Sequence, residues 1–141
     1  MAVVGIDLGT TYSAVARCVN GIPEIIPVDG EVTVPSVVSV LPAGKIVVGK
    51  AAKNNQARSP ENTIVEVKRK MGTTDTVKLG GKDHTAPEIS AMILRIIKER
   101  AEEMLGEKIT GAVITSPAYF KNEAKEATKT AGELADLKVL K

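Results

Sequence analysis

The chain has no tryptophan, one cysteine, one histidine, two tyrosines and one phenylalanine in 141 residues. Each scarcity excludes something. A lone Cys18 cannot form an intramolecular disulfide and suits a reducing compartment; its place on an apolar stretch predicts a small core residue. Tyr12, Tyr119 and Phe120 are too few for a base-stacking platform. The 19 basic and 17 acidic residues leave a net charge of +2, without the basic footprint that nucleic acid requires. No apolar run approaches the ~20 residues of a membrane span, and the start lacks a signal peptide's basic and apolar regions. The expectation is a cytoplasmic chain with neither nucleic-acid nor membrane partners. Hydrophobic content of 43% and charged content of 26% describe one ordinary globular domain, or part of one. Internal repeats and low-complexity linkers are absent too.

What is present concentrates at the start. Val3, Val4 and Ile6 read as a central strand covered on both faces. Asp7 interrupts them before Leu8-Gly9-Thr10-Thr11-Tyr12-Ser13. A carboxylate there is costly to bury without a partner. Gly9 gives the backbone room to approach a ligand, and Thr10, Thr11 and Ser13 supply hydroxyl donors. Backbone N–H groups, hydroxyls and one carboxylate are what a magnesium-bound phosphate needs. From Thr11 the chain turns into a second strand through Ala14-Val15-Ala16.

Further strands are expected at 24–27, 37–40 and 45–48, the last two forming a hairpin across Pro42-Ala43-Gly44. A short helix over 49–58 should end before Ser59-Pro60. Asn62 reads as the N-cap of another over 63–70, stopped by Gly72. Residues 73–85 read as a polar hairpin with Gly80-Gly81 at its tip and His84 as a solvated loop residue. A long helix follows from Thr85 or Ala86 to Leu105, closed by Gly106. Its apolar stripe is Ile89, Ile93, Ile96, Ile97, Met104 and Leu105. Its other face, with Arg95, Lys98, Glu99, Glu102 and Glu103, reads as solvated. A strand at 112–115, a helix over 122–135 and a strand from Val139 complete a βαβ unit and an α/β class with a mixed sheet.

The string from Gly5 to Ser13 resembles the first phosphate loop of the DnaK-type heat-shock-70 chaperones, within the actin and sugar-kinase superfold. Four collinear segments extend that likeness over residues 2–141: Val34-Pro35-Ser36-Val37; Val48-Gly49-Lys50-Ala51-Ala52-Lys53; Asn62-Thr63 with Val67 to Gly72; and Val113 to Phe120 with Ala127-Thr128-Lys129 and Ala131-Gly132. The resemblance implies a ribonuclease-H-like, actin-like ATPase fold that uses ATP/ADP and magnesium. It implies Lys68 as the catalytic cation near the γ-phosphate, and Gly9, Thr10, Thr11 and Tyr12 as phosphate contacts. It implies Asp7 as the magnesium group acting through water, and Pro117 and Lys125 as a relay to a peptide-binding domain. On residues alone, Lys68 reads as a surface lysine beside Arg69 and Lys70, and Pro117 as a strand terminator.

Two positions depart from the family pattern. Ser116 stands where valine is usual, and Lys125 where arginine is usual; a lysine cannot make arginine's bidentate contacts. The second phosphate loop, the adenosine segment and the peptide-binding domain have no counterpart in 1–141. The expectation is therefore the partial N-terminal lobe of a chaperone ATPase domain, poor in turnover alone and prone to self-association through an uncovered sheet face. Client polypeptides and co-chaperones would act through a full-length parent. The alternative is a non-catalytic binding or assembly module built on the same lobe. A small-molecule kinase is disfavoured, because no segment resembles an acceptor site.

Overall fold

The computed structural model describes residues 2–116 and 119–140. Its largest element is a six-stranded mixed sheet. Strand β1 (Ala2–Leu8) pairs antiparallel with β2 (Tyr12–Val19), which pairs antiparallel with β3 (Ile22–Ile25) and with the short β4 (Val34–Pro35). A three-stranded sheet follows: β5 (Val37–Val40) lies between β6 (Ile46–Val48) and β7 (Thr63–Val65). Helix α1 (Lys50–Gln56) packs on it, and β8 (Thr76–Leu79) with β9 (Lys82–Thr85) forms a separate hairpin. Helix α2 (Ala86–Leu105) leads to β10 (Ile109–Thr115), which lies parallel to β1. Helix α3 (Asn122–Leu134) then crosses to β11 (Lys138–Val139), parallel to β10, closing the expected βαβ unit.

Helix α2 forms where its sequence says it should. Thr85 accepts a hydrogen bond from the Glu88 N–H at 3.3 Å, while Glu88 Oε1 accepts from the Thr85 N–H at 2.8 Å. This reciprocal cap is worth ~1 kcal/mol. Gly106 ends the helix in the left-handed region, at φ 69°. Ile89, Ile93 and Ile97 are fully buried, contributing roughly 1.5–3 kcal/mol each. Met104 departs from the expected stripe and lies 61% exposed. The expected solvated face is partly a brace: Arg95 Nη2 donates to Leu134 O at 2.6 Å, Lys98 Nζ to Asp136 O at 3.2 Å, and Glu102 accepts from the Ile109 N–H at 2.8 Å.

Four expectations need correction. Strand β1 is covered on one face only: Val4, Ile6 and Leu8 are buried, whereas Val3 is 53% exposed. Helices α2 and α3 cover the first face, and the period-2 alternation sends Val3, Gly5 and Asp7 to the other. Cys18 lies on β2 but is exposed, not in the core. Thr63–Val65 is strand β7 rather than helix, so Asn62 caps nothing there; it closes a 3₁₀ turn, Pro60–Asn62, and its Nδ2 donates to Ser59 Oγ. Three β-branched or half-buried residues pair with β5, Ile64 opposite Val38 and Val65 opposite Val37, and that edge outweighs weak local helix propensity. His84 also lies on a strand, β9, opposite Val77.

Candidate functional site

The site is built where β1 ends. Between Leu8 and Tyr12 the chain reverses in a tight turn, and Gly9 has no alternative there. A Cβ at Gly9 would overlap the Tyr12 carbonyl oxygen and lie 3.2 Å from its carbon. The constraint is the close approach of the chain's own Tyr12 carbonyl, whereas the sequence reading assigned this glycine to close approach of a ligand.

Lys68 comes to the turn from a distant segment. Glu66 adopts a left-handed conformation, φ 53°, which reverses the chain after β7 into a single 3₁₀ turn, Val67–Lys70. Val67 and Lys68 then point inward at 3% and 7% exposure. Arg69 and Lys70 point outward into surface ion pairs, with Glu66 at 3.0 Å and Asp75 at 3.9 Å. The surface reading of Lys68 is therefore wrong. Its setting is a 3₁₀ turn, not the helix anticipated.

The buried ammonium of Lys68 donates to the Leu8 carbonyl oxygen and sits 5.5 Å from the centre of the Phe120 ring. The Tyr119 ring meets Phe120 edge-on, with centroids 5.5 Å apart. Burial pushes the Lys68 pKa below its ordinary value, and the Asp7 carboxylate partly opposes that shift. A cation held in low dielectric is costly rather than stabilising where it stands.

Asp7 faces the open side of the sheet, where Thr115 Oγ1 donates to its Oδ1 at 3.1 Å. The carboxylate keeps further acceptor capacity. Thr10 joins Lys68, Arg69, Met71, Tyr119 and Phe120 around a cavity of about 440 Å³. The structure thus brings together Asp7, Gly9, Thr10 and Lys68. Tyr12 contributes main chain to the turn, but its ring departs toward α1, where Lys53 Nζ donates to its hydroxyl at 3.2 Å. Ser13 does not offer its hydroxyl to a ligand. It is 1% exposed and paired with Ser36 Oγ at 2.8 Å.

Lys125 lies elsewhere, exposed on α3 beside a second cavity that it lines with Thr115, Ser116 and Lys129. Both departures from the family pattern, Ser116 and Lys125, thus meet at one place. Pro117 lies outside the described residues. Sequence reasoning missed Thr115 as the partner of Asp7, Phe120 as the ring over Lys68, and Ser36 as the partner of Ser13. Strand pairing carried a signal for the first only, through the parallel register that sets Asp7 opposite Thr115.

The glycine turn, the carboxylate at a strand end and the buried lysine all stand at one end of a mixed-sheet α/β domain. A family model described as Hsp70 protein matches residues 3–78 and 73–141. The chain belongs to the Hsp70 protein family, whose members are ATP-binding chaperones, and its mixed-sheet α/β architecture is that of a chaperone ATPase-derived domain. Among the described residues, no helix is long and apolar enough to cross a membrane.

Proposed function

We propose that residues 1–141 form the first phosphate-binding lobe of a DnaK-type, ATP-dependent folding chaperone. The observation that carries this reading is the convergence of Lys68, from a 3₁₀ turn 60 residues away, on the Leu8 carbonyl at the mouth of the Gly9 turn. Holding an ammonium at 7% exposure is unfavourable for stability. Its chemical use is to meet charge developing on a transferred phosphoryl group.

The residues fit a magnesium nucleotide. Gly9 permits a turn in which the Tyr12 carbonyl closes on its α-carbon, Thr10 turns to the Lys68 cavity, and Asp7 is accessible. Magnesium takes one or two carboxylates and completes its shell with phosphate oxygens and water. A single Asp7, acting through water of the magnesium shell, therefore suffices, and no cage of carboxylates is needed. Bound ATP would supply the phosphoryl group; Gly9, Thr10, Thr11 and Tyr12 would hold its phosphates through backbone or hydroxyl groups, and Lys68 would hold the attacking water. A second lobe would close the cleft and supply the adenosine contacts. In such a parent, client polypeptides and co-chaperones respond to nucleotide state, with Pro117 and Lys125 on the relay path. The exposed Val3 and Val113 on the uncovered sheet face give the isolated lobe a surface for self-association. Localisation in the cytoplasm accords with the single cysteine.

Calorimetric titration of the chain with magnesium-ATP tests the reading, run beside Asp7→Ala. One weak site is expected, with affinity falling about tenfold in the variant as a charge-assisted contact worth ~1.5 kcal/mol is lost. A folded wild-type chain that gives no heat in the presence of millimolar nucleotide, or an Asp7→Ala chain that binds equally well, would defeat it.

A further inference from the structure

Ser36 occupies a junction that neither the phosphate turn nor the small sheet explains alone. Strand β4 ends at Pro35 in the six-stranded sheet, opposite Tyr12, and β5 begins at Val37 in the three-stranded sheet. Ser36 is the one residue between them and is 3% exposed. Its Oγ donates to Gly9 O at 2.9 Å, and its N–H donates to Thr11 O at 2.8 Å. Its hydroxyl also meets Ser13 Oγ at 2.8 Å.

Proton balance orders these bonds. A serine hydroxyl has one hydrogen to give. Ser36 gives it to Gly9 O, so Ser13 must donate to Ser36 Oγ. The result is a chain from Ser13 through Ser36 to Gly9, in which each bond polarises the next. Pro35 has no N–H, so the Ser36 amide is the first main-chain donor of this segment able to reach Thr11. Three bonds from one residue thus grip the turn at Gly9, Thr11 and Ser13.

We propose that Ser36 is a positioning residue for phosphate binding: it holds the Gly9–Thr11 main chain in its ligand-ready form and ties that form to the placement of the three-stranded sheet. This rests on the nucleotide reading above. Pairing of Tyr12 with Pro35 and the Lys68 bond to Leu8 O also tie the turn, but the Ser36 bonds are the ones that continue directly into β5. Displacement of β5, with α1 packed on it, is therefore transmitted to the turn through this residue. The phosphate site is responsive to whatever moves the small sheet.

The test is nitrogen-15 relaxation on the 141-residue chain with Ser36→Ala, Ser36→Thr and Ser13→Ala, joined to magnesium-ATP titration. In Ser36→Ala the backbone order parameters of Gly9–Tyr12 are expected to fall from about 0.85 to below about 0.6, with β10 and α2 unchanged. Nucleotide affinity should fall about tenfold, as loss of one part-buried hydrogen bond allows. Ser36→Thr retains the hydroxyl and should restore both. Ser13→Ala leaves the Ser36–Gly9 bond in place and should keep the turn ordered. Unchanged turn order in Ser36→Ala overturns the proposal, as does a fall shared equally by β10 and α2, which marks a merely structural role. If the wild-type chain binds no nucleotide, the order parameters still judge the clamp, and the failure belongs to the nucleotide reading instead.

Discussion

Replacing Lys68 with methionine should lower ATP hydrolysis by the proposed two-lobed parent by about 10²–10³-fold, the usual cost of deleting one preorganised electrostatic group. It should do so without lowering the stability of the 141-residue chain. Two opposing effects decide the second point. The variant leaves the Leu8 carbonyl without its donor, which costs roughly 1–3 kcal/mol. It also relieves the burial of an ammonium, an effective penalty of several kcal/mol. The larger effect wins, so the thermal midpoint should rise, as expected where function is kept at the expense of stability.

The same buried ammonium gives a pH signature. The folded Lys68 pKa lies below the ordinary 10.5 because burial disfavours the charged form. Between the two values the unfolded chain binds more protons than the folded one, so wild-type stability gains with rising pH across that alkaline window. Below the folded pKa the cost of burying the charge is constant. Lys68→Met lacks this contribution, so the stability difference between variant and wild type should narrow there. Urea denaturation of both proteins at matched alkaline pH values checks the sign; a gap that widens would contradict it.

Gly9→Ala is the other substitution with a large expected effect. The atom that its Cβ would strike is a backbone carbonyl, that of Tyr12, and not the end of a flexible side chain. Relief requires the turn to open, yet Ser36 holds Thr11 O and Gly9 O on the other side. Overpacking of this kind costs about 1–3 kcal/mol. The opened turn should also bind magnesium-ATP at least about tenfold more weakly, equivalent to about 1.4 kcal/mol. Calorimetry and thermal unfolding on one sample separate these effects. Unaltered affinity in Gly9→Ala would mean that the turn does not hold phosphate.

Much of this was legible from the residues because it is local. The long helix announced itself through a 3.6-residue period, a Thr85–Glu88 cap and Gly106, and it formed between those limits. The Gly80-Gly81 hairpin and the βαβ unit were likewise punctuated by turn residues. What was misread depends on tertiary partners. Thr63–Val65 became a strand because β5 offers an edge, and Cys18 became exposed because its part of β2 lies outside helix cover. At the site, Asp7, Gly9 and Thr10 are contiguous and carry their chemistry in sequence order. Ser36 grips the turn from 27 residues beyond Gly9, and Phe120 covers Lys68 from 52 residues beyond it. Neither distance leaves a trace in local pattern. Lys68 itself sits among basic neighbours, and only the left-handed Glu66 turns it inward while Arg69 and Lys70 stay in solvent.

The most direct measurement is an amide shift map of the nitrogen-15-labelled chain during titration with magnesium-ATP. Saturable shifts should centre on Gly9, Thr10, Thr11 and Tyr12, with a second group at Lys68 and Thr115. Shifts confined to other surfaces, or none at millimolar nucleotide in a folded sample, would contradict the assignment of this turn as a phosphate site.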